Sequence, residues 1–441
     1  MSEIPEETSF PTPIAVGSPT PGPRPTPLPL PRRRSMFLAA GSLVLSAVGF
    51  CILLGASALL GISGLTSQFD SASSQDQTLP QLSLAWGVAL IAVLMLPAAV
   101  LAILDIFGKP TPAWIEKSSP AADRFLRWGL PVIWVLLLGL GSLAANLPQG
   151  NWLVFPPLNT LAVALPILWL VWVGGVGTLG HSGGPSPRRT WGALIFSLTI
   201  SNILMIMLEV IAVFLFTVLV AGILSTDPNS SFEMQRLAQR LLSTQTNPEV
   251  IIRILRPYFS RPGFLYSGFV LAAVLIPLIE ELIKPLALWL LAGRGASPRE
   301  GFALGLICGA GMALAESLAY SSLGSLGSSL WVTLMIGRSG TGLVHVLCTG
   351  LMGWAMASAW GAAGRKDGKI IRLGLIYLLV VFLHGLWNTF SLLSLATSLI
   401  SSPLPAWLTN EYLSIASLGI LSAVLFLFLI YFNSRLKNEG N

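Results

Sequence analysis

Charge is scarce in this 441-residue chain: Asp, Glu, Lys and Arg together make up 10% of it, where a soluble domain carries about 25%. There are three histidines and three cysteines. Cys51, Cys308 and Cys348 each lie within an apolar run, which excludes a disulfide framework or a zinc-finger spacing and leaves them as packing residues. No HExxH segment occurs, and no basic stripe interleaved with aromatics that would serve a nucleic acid. The net charge of +6 sits at the ends of apolar runs, where it reads as loop bias. What is abundant is apolar: 54% hydrophobic residues and a mean hydropathy of +0.76. These place the chain in a membrane, with lipid as its surroundings.

Hydropathy predicts an all-α, polytopic bundle of ten spans, at about 36–65, 84–104, 128–146, 159–180, 192–224, 264–292, 301–321, 338–362, 371–398 and 411–432. Residues 1–35 hold ten prolines and end on Arg32, Arg33 and Arg34, the composition of a disordered tail. Lys and Arg recur in alternate loops, as in Lys109 and Lys117, Arg188 and Arg189, Arg294 and Arg299, Arg365 and Lys366. By the positive-inside rule both termini are cytoplasmic. The loop at 225–263 breaks the alternation, being expected outside yet holding Arg236, Arg240, Arg253, Arg256 and Arg261. Its apolar residues at helical spacing predict surface helices lying at the interface. The organisation expected is a tail (1–35), five N-terminal spans (36–224), the extracytoplasmic loop (225–263), five further spans (264–432) and a cytoplasmic end (433–441).

Against this background, ionisable residues inside the spans demand a reason. An Asp, Lys or Arg at the centre of a spanning helix costs about 2.5–3.5 kcal/mol on insertion scales. The sixth span carries Glu280, Glu281 and Lys284 in EELIK, one turn of helix, between Pro277 and Pro285. Two carboxylates in low dielectric cannot both ionise easily, so one is expected to share a proton while Lys284 favours the charge of the other. That pairing supplies an acid and a base from identical side chains, and the prolines predict a kink beside them. The seventh span sets Gly301, Gly305 and Gly309 four apart and leads to Glu316, a ladder that lets helices approach closely. The eighth offers Arg338, His345 and Thr349, and the ninth His384 and Asn388. Each histidine has a polar residue one turn on, the spacing that holds a ring in one tautomer or completes a site.

The order EELIK, GAGMALAES, RSGTGLVHVLCTG, FLHGLWN resembles the PrsW family of intramembrane proteases, distant relatives of type II CAAX prenyl proteases. The family pattern runs EExxK, FxxxE and two motifs that begin with His. It falls here on Glu280, Glu281 and Lys284, on Met312 and Glu316, on His345, and on His384 and Asn388. Met312 stands where the family has Phe, and Glu209 is an intramembrane acid without a counterpart.

The resemblance implies an endopeptidase in a bacterial plasma membrane, cutting a membrane-anchored protein such as an anti-sigma-like substrate through a glutamate-activated water. In that scheme His384 and Asn388 serve the oxyanion, and His345 or Glu316 protonates the leaving amine. No cofactor is required by this version. A zinc or other divalent ion held by Glu281, Glu316, His345 and His384 is the competing one, in keeping with the family's label as metalloproteases. Two other readings use the same residues: a proton-coupled transporter, which would be expected to show internal repeats, and a non-catalytic scaffold related to CAAX proteases.

Overall fold

In a computed structural model of the full chain, the residues described are 32–69, 78–112, 120–147, 150–175, 184–224, 262–291, 295–321, 328–360, 367–399 and 410–438, with short helical stretches between 232 and 257. Regular structure among them is helical throughout, without a strand. In chain order the helices are α1 (Arg32–Phe69), α2 (Thr78–Ile106), α3 (Pro120–Arg124), α4 (Leu130–Ala145), α5 (Asn151–Gly175), α6 (Pro187–Phe196) and α7 (Asn202–Leu224). They continue as α8 (Pro262–Val270), α9 (Ile276–Ile283), α10 (Leu286–Trp289), α11 (Pro298–Ser321), α12 (Ser328–Trp360), α13 (Asp367–Leu399) and α14 (Glu411–Asn438). Wider π-helical turns at Phe125–Gly129, Ser197–Ser201 and Leu271–Leu275 join α3 to α4, α6 to α7 and α8 to α9. The result is a multi-pass membrane protein, in which ten helices among the described residues are long and apolar enough to span.

The helices overrun the sequence-based bounds where polar or small residues dilute the hydropathy average. α5 begins at Asn151, not 159, through Pro156 and Pro157, and α12 begins at Ser328, not 338. The Pro-rich tail before Arg32 and most of the expected interfacial segment at 225–263 lie outside the described residues.

α11 and α12 form the centre, each with 83% of its spanning window buried, whereas α1 has 6% of its window buried and packs on α2 at the periphery. The glycine ladder explains the central pair. A Cβ on Gly301, Gly305 or Gly309 would collide with the backbone carbonyls of Gly353, Thr349 and His345 respectively. Each step of four up α11 therefore meets a step of four down α12, at a backbone separation that only glycine permits. Seven residues further in the same antiparallel register, Glu316 meets Arg338. Beyond that pair, Trp331 donates to Asn159 Oδ1 (2.8 Å) and Asn159 Nδ2 to Ser321 Oγ (3.0 Å), tying α5 to the ends of both central helices.

The sixth span is the irregular one. It widens into the π turn at Leu271–Leu275, resumes as α9 with Pro277 in its first turn, and breaks at Lys284 and Pro285 before α10. The break follows from proline's missing N–H at 285, as the sequence predicted. Tyr377 of α13 donates to the carbonyl of Leu278 (2.7 Å), and α13 approaches the π turn so closely that a Cβ on Gly385 would strike the carbonyl of Ala273. These contacts fix how α9 presents its charges to the neighbouring helices.

Candidate active site

The ionisable side chains of the site come from four helices of this frame, α9, α11, α12 and α13. α9 ends on Glu280 and Glu281, with Lys284 just beyond it. Lys284 Nζ lies 2.7 Å from Glu281 Oε1 and 2.8 Å from Glu280 Oε2, with its side chain fully enclosed. One ammonium thus bridges two carboxylates, which offsets the repulsion between them and the cost of their burial. From α13, His384 Nδ1 stands 2.8 Å from Glu281 Oε1 and 3.4 Å from Lys284 Nζ. From α12, His345 Nε2 stands 2.8 Å from Glu316 Oε2 of α11. Arg338 holds that same carboxylate with both terminal nitrogens, at 3.1 and 3.2 Å, and donates from Nε to Ser317 Oγ (3.0 Å).

The tautomers follow from these neighbours. A carboxylate only accepts, so the ring nitrogen facing it carries the proton: Nε2–H of His345 to Glu316 and Nδ1–H of His384 to Glu281. The other two nitrogens, His345 Nδ1 and His384 Nε2, are then acceptors. They face Glu280 Oε2 at 4.0 and 3.8 Å, on rings set edge-to-face with centroids 5.2 Å apart. His345 Nδ1 is buried without a hydrogen-bond partner among the described residues. Lys284 already meets Glu280 Oε2, but the two ring acceptors beside it still call for a donor or a cation.

A water molecule meets that requirement, and so does a metal ion. One donor atom from each of Glu280, Glu281, His345 and His384 lies within 4.8 Å of the others. Tetrahedral donors about 2.1 Å from a zinc stand roughly 3.4 Å apart, close to the spacing of the two rings and Glu280. Carboxylates on the outer ring nitrogens are the usual support for metal-bound histidines. The residues therefore fit a divalent ion, with a difference from the sequence expectation. Glu316 is engaged on the outer nitrogen of His345 and stands outside this group, and Glu280 takes its place facing the inner nitrogens of both rings. Glu281, His345 and His384 stay in it, Glu281 holding His384 with Oε1 and keeping Oε2 without a hydrogen-bond partner among the described residues.

A cavity of about 820 Å³ opens onto this cluster between α7, α9, α11, α12 and α13. Glu280, Glu316, Arg338, His384 and Asn388 line it, while Glu281, Lys284 and His345 stand behind the wall. Asn388 uses Nδ2 to satisfy the carbonyl of Ala272 (2.8 Å) in the π turn, so part of its donor capacity is structural. His384 turns its Nε2 towards Glu280 at the end of the cavity. Met312, at the family's Phe position, packs against Met205 and Ile283 beside the charges.

Sequence reasoning named seven of these side chains as site residues and left out Arg338, although it stands two turns before His345 on the same face of α12. Glu209 also lines the cavity, from α7.

No curated protein and no solved structure matches this chain. Residues 190–430, more than half of it, match the family described as PrsW family intramembrane metalloprotease. That stretch begins in α6, ends in α14 and contains every side chain of the cluster. The chain belongs to the PrsW family of intramembrane metalloproteases.

Proposed function

We propose that the protein is an endopeptidase of a bacterial plasma membrane, both termini cytoplasmic, that hydrolyses a peptide bond of a membrane-anchored protein at the Glu280–His384 end of the cavity. The observation that carries this reading is the convergence of Glu280 Oε2, His345 Nδ1 and His384 Nε2, three acceptors around a position that a water molecule can fill. A water there donates one hydrogen to Glu280 and the other to His384 Nε2, which leaves an oxygen lone pair directed into the cavity. As the oxygen attacks the substrate carbonyl carbon, its proton passes to the Glu280 carboxylate. Asn388 brings an N–H donor to the same cavity, where negative charge grows on the carbonyl oxygen. When the C–N bond breaks, Glu280 returns the proton to the leaving amine nitrogen, the second proton of the water stays on the new carboxyl group, and its transfer to the amine leaves a carboxylate and an ammonium.

Glu281, Lys284, Glu316 and Arg338 are positioning residues in this scheme. Glu281 keeps His384 in the tautomer that presents Nε2. Glu316, held by Arg338, does the same for His345. Lys284 allows two glutamates to stand side by side in an apolar bundle. Where a divalent ion is bound, His345 and His384 would hold it with Glu280 Oε2. It would supply Lewis-acid activation of water, and the second oxygen of Glu280 would remain for the proton.

Purified protein in liposomes, incubated in H₂¹⁸O with a library of single-span reporter proteins, tests the reading by mass spectrometry of the products. Hydrolysis at this site puts one ¹⁸O into the new C-terminal carboxylate, in wild type and not in the Glu281→Gln variant. Equal label in both would remove the site from the chemistry.

A further inference from the structure

The cavity has a wall that the family motifs do not supply. Asn202, Met205, Ile206 and Glu209 follow one another at steps of three, one and three on α7, and all four line it. One face of this helix is therefore turned to the site, while Val210 and Phe214 are exposed at its outer side. Glu209 shares the lining of this cavity with Glu280. Around the cavity stand four acids, Glu209, Glu280, Glu281 and Glu316, and two bases. Lys284 holds Glu280 and Glu281, and Arg338 holds Glu316. Among the described residues no base is left within ion-pair distance of Glu209. Two turns away, Asn202 is 7% exposed and its Nδ2 has no hydrogen-bond partner among the described residues. A buried amide donor without an acceptor costs about 1–3 kcal/mol unless something else meets it. An acceptor without a cation and a donor without an acceptor thus share one wall of a cavity that faces the reacting groups.

We propose that this face of α7 recognises the substrate, with Glu209 binding a Lys or Arg side chain next to the scissile bond and Asn202 Nδ2 donating to a substrate backbone carbonyl. Seven helical residues separate the two by about 10 Å, the length of roughly three residues of extended chain. A basic side chain beside Glu209 also lies near Glu280, so it gains from two carboxylates that otherwise repel each other in low dielectric. Lys and Arg suit the place because their long stems run along apolar surface such as Met205 and Ile206 while the charged head reaches the acids. The inference rests on the protease reading above and narrows it to substrates with a basic residue at the cleavage region.

The test uses the full-length protein in liposomes and single-span reporter helices that carry one Lys, Gln or Glu at successive positions around the cleaved bond. Wild type is expected to cut a Lys reporter at least about tenfold more efficiently, as kcat/KM, than its Gln counterpart at one position. In Glu209→Gln that ratio falls close to one, and in Glu209→Lys the preference turns to the Glu reporter. Asn202→Leu raises KM for every reporter alike, without changing the Lys-to-Gln ratio. A ratio in Glu209→Gln equal to that of wild type, or no position at which wild type prefers Lys, overturns the assignment. If wild type cuts no reporter while folded and inserted, it is the protease reading that fails, and this one with it.

Discussion

A single residue decides the character of this site because so few charges are present to compensate one another. Lys284 touches both carboxylates of α9 and is fully enclosed. Lys284→Met leaves Glu280 and Glu281 facing each other without a cation, a loss of about 3–5 kcal/mol for a broken buried pair. A marked fall in the thermal unfolding midpoint in detergent is the expected result, and an unchanged midpoint would mean the ammonium is not where the geometry has it. Arg338 separates position from charge. Arg338→Lys keeps the charge and loses the two-pronged grip on Glu316, so kcat is expected to fall by about tenfold or more with little change in KM. Zinc added to the purified protein is expected to stay at about one per chain through gel filtration, and to be lost from the His345→Ala, His384→Ala double variant. Retention by that variant, read by elemental analysis, would put the ion elsewhere. At this scale the sequence was most legible where chemistry is rare: a Glu or His within an apolar span stands out without any structure. Which oxygen faces which nitrogen was not legible. It depends on the register between helices, and so Glu280, not Glu316, turned out to face both inner nitrogens.

Between elements, the contact of α11 with α12 sets the site. Gly309 lies against the carbonyl of His345 itself, so a methyl group there moves a site residue as well as a helix. Gly309→Ala is expected to destabilise the protein by about 1–3 kcal/mol, the usual cost of overpacking, and to lower activity by more than Gly374→Ala. Gly374, on α13, has nothing within 4 Å of a built Cβ, and alanine there is expected to be neutral or slightly stabilising. Thermal melts and a cleavage assay on both variants check the contrast; equal effects would contradict the close approach. The ladder itself was legible as Gly301, Gly305 and Gly309 at steps of four, and so was the kink at Pro285. The π turn at Leu271–Leu275 was not, because the sequence LAAVL contains no proline or glycine to mark it. Its signature lies in α13, far along the chain, in Gly385, whose missing Cβ leaves room for the carbonyl of Ala273, and in Asn388, which donates to that of Ala272.

For the whole molecule the number of spans and their order were readable from hydropathy, since length and apolar composition are all that a crossing helix needs. The bounds were less so, as α5 and α12 begin in polar or proline-containing turns. With ten crossings both ends of the chain are expected on one side. Cysteines introduced at positions 236 and 437, in a background with Cys51 replaced, are expected to react with an impermeant thiol reagent from opposite faces of sealed vesicles. Reaction of both from the same face would change the span count by one. The central claim is that the glutamates of α9, in their setting of two histidines, hydrolyse a peptide bond inside the membrane. Its most direct test is the rate at which the Glu280→Gln, Glu281→Gln double variant processes a membrane-anchored substrate in liposomes, beside a melt showing that it has folded. The account predicts no product above background from a folded, inserted protein; processing near the wild-type rate would contradict it.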